Sequence, residues 1–471
     1  MKTTPSPWPI LLAASFAFII VQLDVTIVNV ALPQIGRELH AGVADLQWVV
    51  DAYTLGFAVF LLSAGVMGDK FGSRRAFLAG FVLFTLASLA CAAAPTPLAL
   101  NLARAVQGIG AAMLVPSSLA ILNRAYAHDK AALAKAIALW TAGGGISIAA
   151  GPVLGGLLMS LADWRSIFWV NIPICVAGFW LTLRVVPEQA GKDPQRAFDM
   201  PGQLLAIVAL TSFIGAVIEF ESLGWSHWLI EAGLTLAVAA GALFLFVESS
   251  SAAPMLPLAL FRRPPFSAAV LFGVLVNFAY YGTIFVLSFY LQKVRGYTVL
   301  HAGLVFLPLT GTFLFSNLAS GRMAARCGLR LPMIIGGLIG ATGYAALGWF
   351  GISDQASFMQ MLPGLALIPA GMGLAVPAMT TSILSAVEHR QAGTASAILN
   401  TARQVGGAMG VAIFGALVAG NEHARILSGI QAAMAVSSAM LLSAAALAWA
   451  YVERHSAANA ASGAARTREA C

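Results

Sequence analysis

Residues 65–75 read GVMGDKFGSRR, and a degraded copy, GRMAARCGLR, recurs at residues 321–330. Aligned without gaps, the copies share two glycines, a methionine and an arginine, and a lysine in the first stands opposite an arginine in the second. Each copy joins the end of one long apolar segment to the start of the next. Lys/Arg-rich loops between membrane helices stay in the cytoplasm. The repeat therefore predicts a membrane chain of two similar halves, with both loops on the cytoplasmic side.

The composition agrees with a chain that lies mostly in lipid. Of its 471 residues 59% are hydrophobic and 10% are charged, whereas soluble domains carry about 25% charged residues. The formal net charge of +7 raises the alternative of nucleic-acid binding. The basic residues lie in short loops between apolar segments, so the positive-inside bias explains them and no nucleic-acid partner is expected.

Cofactor chemistry has little support in the sequence. The four cysteines show no CxxC spacing and no paired framework, so we expect neither a metal site nor a structural disulfide. A phosphate-cradling GxxxxGK[ST] motif does not occur, which disfavours ATP-driven transport. We expect no cofactor, and small-molecule, proton and lipid partners for a monomeric protein.

Apolar segments of membrane-spanning length predict about fourteen helices. Nineteen Lys and Arg residues fall on the side of the repeated loops and five on the other, which predicts cytoplasmic termini. The predicted spans are 10–32, 46–67, 76–94, 97–122, 133–159, 165–185, 201–221, 228–248, 266–291, 299–320, 331–351, 358–382, 392–419 and 427–452.

The position of the repeat divides the chain. The first loop follows the second span and the second follows the tenth, whereas a plain duplication of six helices would place the second after the eighth. Two extra helices must therefore sit between the halves. We predict a six-helix half at 1–186, an inserted pair with its flanking loops at 187–265, a second six-helix half at 266–453 and a cytoplasmic tail at 454–471.

Five further segments carry a family resemblance: LDVTIVNVALP at 23–33, RAVQGIG at 104–110, GPVLGG at 151–156, WRSIFWVNIP at 164–173 and RQVGG at 403–407. With the basic loop, they resemble the signatures of the fourteen-helix drug:proton antiporter branch of the major facilitator superfamily. The resemblance implies an all-α integral membrane fold of six, two and six helices. It also implies an exporter in a bacterial cytoplasmic membrane that exchanges protons for amphipathic drugs, antibiotics or secreted metabolites by alternating access.

Three ionisable residues share one predicted depth, about 8–10 Å from the outer edge of the membrane core: Asp24, Asp51 and Arg104. Charges inside a span are costly and are functional candidates by default. We expect one carboxylate to pair with Arg104 and the other to carry a proton; which acid is the main carrier stays open, and Asp24 is the first to test. The alternatives are that Asp24 caps backbone, Asp51 reaches the interface and Arg104 is a purely structural partner.

Two motifs are candidates for moving parts. The first is the gating loop, in which an acidic latch at Asp69 would hold the inner gate shut; its residues are Gly65, Gly68, Asp69, Gly72, Arg74 and Arg75. The second copy has Ala325 in place of Asp69, and a solvated loop serving only topology is the alternative. In the fifth span the resemblance implies a hinge that prevents leakage of the coupling ion, formed by Gly151, Pro152, Gly155 and Gly156. Plain small-residue packing is the alternative there.

The substrate cavity is predicted from four residues: Asn29, Tyr281, Phe285 and Arg403. Aromatic residues crowd the ninth span, where they form either a cavity wall for flat or cationic drugs or a lipid-facing surface. Arg403 is the one charge deep in the second half, and it either contacts substrate or makes a structural ion pair.

Two other functions remain open from the sequence. An uptake or non-coupled carrier of a small metabolite would use the same fold. A polytopic membrane enzyme or receptor is the rival of another class. The enzyme is disfavoured because no nucleophile arrangement or His/Asp/Glu cluster stands out among so few polar residues.

Overall fold

The computed structural model describes residues 8–127, 129–188, 199–224, 226–251, 254–387, 391–419 and 423–452. Within these ranges the chain is helical, with no strand. The first half contains α1 (Trp8–Glu38), α2 (Val43–Phe71), α3 (Ser73–Ala93), α4 (Pro97–Ala125), α5 (Lys130–Leu161), α6 (Ser166–Trp169) and α7 (Asn171–Val185). Then come α8 (Met200–Leu223), α9 (Trp228–Ser250), α10 (Pro264–Phe289), α11 (Val299–Val305), α12 (Leu307–Cys327), α13 (Arg330–Ala346), α14 (Phe358–Ser385), α15 (Ala392–Leu417) and α16 (His423–Tyr451). The predicted tail, 454–471, lies outside the described residues.

The helices confirm the predicted fold class. In the described part of the chain twelve helical segments are long and apolar enough to cross a membrane, and α5 is a thirteenth, bent by 44° between Ile148 and Ala150. Pro152 explains the bend, because its ring nitrogen has no hydrogen to donate to the carbonyl of Ile148. The fourteenth predicted span is α15, whose 26 residues make a helix about 39 Å long. Its Arg403 and its many small residues lower its hydropathy.

The two halves pack in the same pattern. In the first half α1 lies against α5 and α7, and α4 lies against α2 and α3. In the second half α10 lies against α15 and α16, and α14 lies against α12 and α13. Between the halves α2 packs on α15, and α5 packs on α11 and α12. The helices α8 and α9 pack on each other, and α8 touches α2 and α15 from outside.

The repeated loops have the same backbone turn. Gly72 and Gly328, which the sequence repeat aligns, have φ angles of +95° and +77°. Each donates its N–H to the carbonyl four residues earlier, at 3.1 Å to Gly68 and 3.0 Å to Ala324. Positive φ is a conformation that glycine adopts without steric cost. This requirement accounts for the glycine in both copies.

The arginines of the two loops are equivalent as well. Arg74 donates Nη2 to the carbonyl of Leu183 at 2.9 Å, and Arg330 donates Nη2 to the carbonyl of Trp449. Leu183 lies in the last turn of α7 and Trp449 in the last turn of α16, the final helices of the two halves. Each loop is thereby tied to the last helix of its own half.

We expect Gly72→Ala and Gly328→Ala each to destabilise the protein by about 1–3 kcal/mol, because a side chain at positive φ is strained. Gly65→Ala is the matched control, since Gly65 lies within α2 and no described atom beyond its immediate neighbours lies within 4 Å of where its Cβ would be. Thermal melts of the purified variants in detergent measure the effect. Equal melting temperatures for Gly72→Ala and Gly65→Ala would contradict the strain argument.

The halves are joined at the end of the bundle away from the repeated loops. Gln47 of α2 donates Nε2 to the carbonyl of Ala412 in α15 at 2.7 Å. Ser288 of α10 donates Oγ to the carbonyl of Asn29 in α1 at 2.6 Å. Gln292 follows α10 and donates to the carbonyl of Val30 at 2.9 Å. These bonds close one end of the bundle.

The opposite end is less closely packed. Gly65 and Gly321 occupy the same position in the two copies of the repeat. A Cβ added at either glycine would have no described atom within 4 Å, apart from its chain neighbours and the backbone of its own helix. Around these two glycines the loop end of the bundle is less closely packed than the end that the three hydrogen bonds close.

Candidate functional site

Asp24 lies at the centre of a buried polar network in the first half. Arg104 of α4 donates Nη1 to Asp24 Oδ2, and both side chains are fully buried. Gln107 donates Nε2 to Asp24 Oδ1 at 2.9 Å, and Asn171 of α7 donates Nδ2 to the same oxygen at 3.0 Å. Both carboxylate oxygens therefore have donors, and one donor is a cation.

Arg104 extends this network to α2. Its Nε donates to the carbonyl of Val49 at 2.9 Å, and its guanidinium carbon lies 4.3 Å from the centre of the Tyr53 ring. The pair thus ties α1, α2, α4 and α7 together. A buried ion pair is tolerated when further hydrogen bonds satisfy both groups, and this pair meets that condition except at Nη2, which has no hydrogen-bond partner in the described chain.

Gln107 and Asn171 were not predicted as site residues. Gln107 is three residues after Arg104 and so lies on the same helical face, and Asn171 belongs to the quoted segment 164–173. The i, i+3 spacing was the available signal for Gln107. For Asn171 the sequence held none, because its contact with Asp24 joins residues 147 positions apart.

Asp51 lies outside this network. It is fully buried, and within the described residues neither carboxylate oxygen has a hydrogen-bond partner. One turn before it Gln47 reaches the carbonyl of Ala412, and one turn after it Leu55 packs in a cluster with Ala412. Residues four apart share a helical face. Asp51 therefore lies in the α2–α15 seam, the contact between the two halves.

The two carboxyl groups have different chemistry as a result. Asp24 accepts hydrogen bonds from a cation and from two neutral amides. Asp51 has no described donor or counter-charge, and burying an unpaired ionised carboxylate is very costly. In the described conformation no hydrogen-bond donor therefore compensates the Asp51 carboxyl group. Of the two acids, Asp51 is the one that lies at the contact between the halves.

The gating loop combines a tight turn with surface charge. Asp69 is half-buried in the last turn of α2. Arg75 donates Nη2 to Glu188 at 2.7 Å, between two exposed side chains. The hydrogen bond and charge of Arg75 lower the pKa of Glu188. Such surface pairs contribute little stability, whereas the Gly72 turn and the Arg74 hydrogen bond tie the loop to the helices.

The glycines of α5 face two different helices. A Cβ at Gly151 would overlap Thr26 of α1, and one at Gly155 would come within 2.9 Å of Ile27. A Cβ at Gly156 would lie 2.9 Å from Leu300 in α11, across the contact between the halves. Gly151 and Gly155 therefore allow close approach within the first half, and Gly156 allows it between the halves.

A small central cavity of about 50 Å³ lies between the halves. Of the four residues expected at a substrate cavity, Tyr281 and Arg403 line it and Asn29 and Phe285 do not. Asn29 donates Nδ2 to the carbonyl of Val25 in its own helix at 2.9 Å, and Phe285 is buried in the apolar core. The lining residues are Gly145, Ile148, Asn277, Tyr280, Tyr281, Leu309, Phe313, Met372, Val376 and Arg403.

Comparison with known proteins establishes the family. The sequence profile described as Major Facilitator Superfamily matches residues 14–411. The chain belongs to this superfamily. It is 39% identical over 409 residues to the multidrug resistance protein Stp of Mycobacterium tuberculosis, covering 87% of this chain and 75% of Stp. It is 35% identical over 416 residues to the tetracenomycin C resistance and export protein of Streptomyces glaucescens, covering 88% of this chain and 76% of that protein.

A solved structure supports the fold. A bacterial homologue of the human lysosomal transporter Spinster, in an inward-facing and occupied conformation, superposes with a TM-score of 0.68. The match covers 97% of this chain and 100% of that one at 18% identity, so it bears on the fold alone. The protein is a multi-pass facilitator-family transporter, and its two halves pack in the duplicated pattern described above.

Proposed function

We propose that this facilitator-family protein exports amphipathic drugs, antibiotics or secreted metabolites in exchange for protons that move inward. The names of its relatives support drug export. The observation that supports proton coupling is Asp51, a buried carboxyl without a described partner in the seam between the halves.

The two halves rock about the central cavity in this proposal. Both halves line the cavity, which is where transporters with repeated halves place their substrate. The proposal places the repeated loops in the cytoplasm, on the strength of the charge bias, and takes the described conformation as the inward-facing one, closed at its outer end. Gly151, Pro152, Gly155 and Gly156 form the hinge face of α5, and the loop from Gly65 to Arg75 with its latch residue Asp69 closes the cytoplasmic end in the opposite state.

Asp51 couples the proton to this motion. In the inward-facing state it is sealed between α2 and α15 in its neutral form. Opening of the outer end separates these helices, and water then reaches the carboxyl from outside, where it takes up a proton. The seam continues inward to the bond from Thr401 Oγ1 to the carbonyl of Ala58, 3.3 Å long. Substrate entering the cavity loosens this part of the seam, and the proton leaves to the cytoplasm.

The test uses inverted membrane vesicles that contain the protein, with a fluorescent amphipathic dye added outside them. Acidifying the vesicle interior should drive accumulation of the dye against its gradient, and an ionophore that collapses the proton gradient should stop it. Vesicles without the protein are the control. Protein-dependent dye uptake that is the same with and without the proton gradient would support a non-coupled carrier instead. We propose a monomeric carrier that is not an enzyme and needs no cofactor, since the gradient supplies the energy.

We expect both termini in the cytoplasm of a bacterial cell with the protein in its cytoplasmic membrane, because basic residues favour the side of the repeated loops by nineteen to five. A C-terminal reporter enzyme that is active only outside the cytoplasm should give no signal. The same reporter inserted after Gly42, between α1 and α2, should be active. An active C-terminal fusion would overturn the orientation.

A further inference from the structure

The central cavity has a positive charge and no negative one. Arg403 is the one ionisable cation among its lining residues, and no Asp or Glu lines it. Beyond the cavity, none of the helices α10–α16 contains an acidic residue. In the first half Asp24 is already paired with Arg104, and Asp51, in the α2–α15 seam, does not line the cavity. The cavity therefore lacks the carboxylate that would recognise a cationic substrate.

The packing of α15 against α10 positions Arg403. Its Cγ lies against Gly273, where an added Cβ would come within 3.4 Å. One turn on, Asn277 donates Nδ2 to the carbonyl of Gly273 at 2.8 Å. The amide oxygen of Asn277 is thereby left to accept from Arg403 Nε, at 3.5 Å. The glycine and the asparagine together fix where the guanidinium points.

Most of the hydrogen-bonding capacity of Arg403 is unused. A guanidinium has five N–H donors, and within the described residues Arg403 makes this one hydrogen bond and no ion pair. The structural ion pair considered from the sequence is therefore not present in the described chain. The two terminal nitrogens match the two oxygens of a carboxylate.

Aromatic rings line the same cavity as Arg403. Tyr280 and Tyr281 lie with ring centres 5.4 Å apart, and both line the cavity with Phe313 of α12. Tyr281 packs against Gly407, one turn after Arg403, where a Cβ would come within 2.8 Å of its ring. The cavity volume of about 50 Å³ has room for one or two waters, or for an acid group of similar size. The flat body of a ligand would lie against the rings.

We propose that the substrates of this exporter are aromatic organic anions, and that Arg403 binds their carboxylate or phenolate group. The proposal rests on the exporter function proposed above and specifies the charge of what is exported. Tyrosine faces attract cations, but the guanidinium beside Tyr281 opposes a second positive charge. Neutral aromatic compounds gain the ring contacts and lose the charge-assisted hydrogen bonds.

The experiment measures binding and requires no transport. Purified protein in lipid nanodiscs is titrated calorimetrically with three probes of one scaffold: 2-naphthoate, neutral 2-naphthamide and 2-naphthylmethylammonium. We expect the wild type to bind naphthoate at least about tenfold more tightly than either other probe, as expected for a charged hydrogen bond. Arg403→Gln should abolish the preference, and Arg403→Lys should retain part of it because the charge remains.

Arg37→Gln is the matched control, since it removes a positive charge from an exposed position at the end of α1. It should leave the preference unchanged. Equal binding of the three probes, no binding of any, or tighter binding of the ammonium probe would overturn the assignment. These results with the wild-type protein test the anion preference even if Arg403→Gln fails to fold. If the protein exports substrate in exchange for protons but does not prefer anions, the proposed function holds and the role of Arg403 is wrong. If it binds anions but does not export in exchange for protons, the role of Arg403 holds and the proposed function is wrong.

Discussion

Arg104→Ala should destabilise the protein by about 3–5 kcal/mol, the usual cost of removing one partner of a buried ion pair. Asp24 would keep Gln107 and Asn171 as donors but would lose its only described cation. The carbonyl of Val49 would also lose its bond to Arg104 Nε. Because the network joins four helices, we expect most of the variant to be recovered misfolded.

A double-mutant cycle separates the ion pair from the packing. Asp24→Asn combined with Arg104→Ala removes both charges, so the double variant should be more stable than Arg104→Ala alone. Thermal melts and the monodisperse fraction in size-exclusion chromatography give the comparison. A double variant that is less stable than Arg104→Ala would show that the charge left on Asp24 is not the cause of the damage.

The duplication was predictable because it is local. The repeat at 65–75 and 321–330 aligned Gly72 with Gly328 and Arg74 with Arg330, and both pairs have equivalent structures. A tight turn at a helix end depends on a few consecutive residues, and the positive φ can be adopted freely only by glycine. The carbonyls that the arginines bind lie 109 and 119 residues away, and no local pattern identified them.

The sequence predicted how deep the candidate site residues lie in the membrane, but not which way their side chains face around each helix axis. Counting residues along a helix places Asp24, Asp51 and Arg104 at one level, because the rise per residue is constant. Which way a side chain faces around the helix axis depends on which helices pack beside it. Asp24 faces α4 and α7, whereas Asp51 faces α15 of the other half. The sequence therefore left open which acid pairs with Arg104.

The cavity shows the same limit. Tyr281 and Phe285 were both expected at the cavity because aromatic residues crowd this span, and they are four residues apart on one face of α10. Phe285 lies one turn nearer the closed end, where Ser288 bonds to Asn29. That closure buries Phe285 and Asn29 and leaves Tyr281 at the cavity. Which of these residues line the cavity depends on the conformational state of the two halves. A single sequence does not encode which state is observed.

Asp51→Asn should abolish uphill export while permitting downhill exchange of substrate. The amide has the shape of the protonated carboxyl and cannot release a proton, so the carrier still binds and rocks but no longer couples the two movements. Stability should change little, because the buried carboxyl has no partner in the described chain to lose. Asp24→Asn is the matched control, because it removes an acid at similar depth that is bound by Arg104. We expect it to lower the yield of folded protein, while the molecules that do fold keep most of their proton coupling.

Reconstituted proteoliposomes with a controlled pH gradient measure both activities on the same preparation. Uphill accumulation reports coupling, and counterflow of labelled substrate at equal pH reports exchange. The expected pattern is loss of accumulation with retained counterflow for Asp51→Asn, and retained accumulation by the folded fraction of Asp24→Asn. The reverse pattern, with full accumulation by Asp51→Asn and none by folded Asp24→Asn, would return the role of proton carrier to Asp24. The seam between α2 and α15 would then serve only as a packing contact.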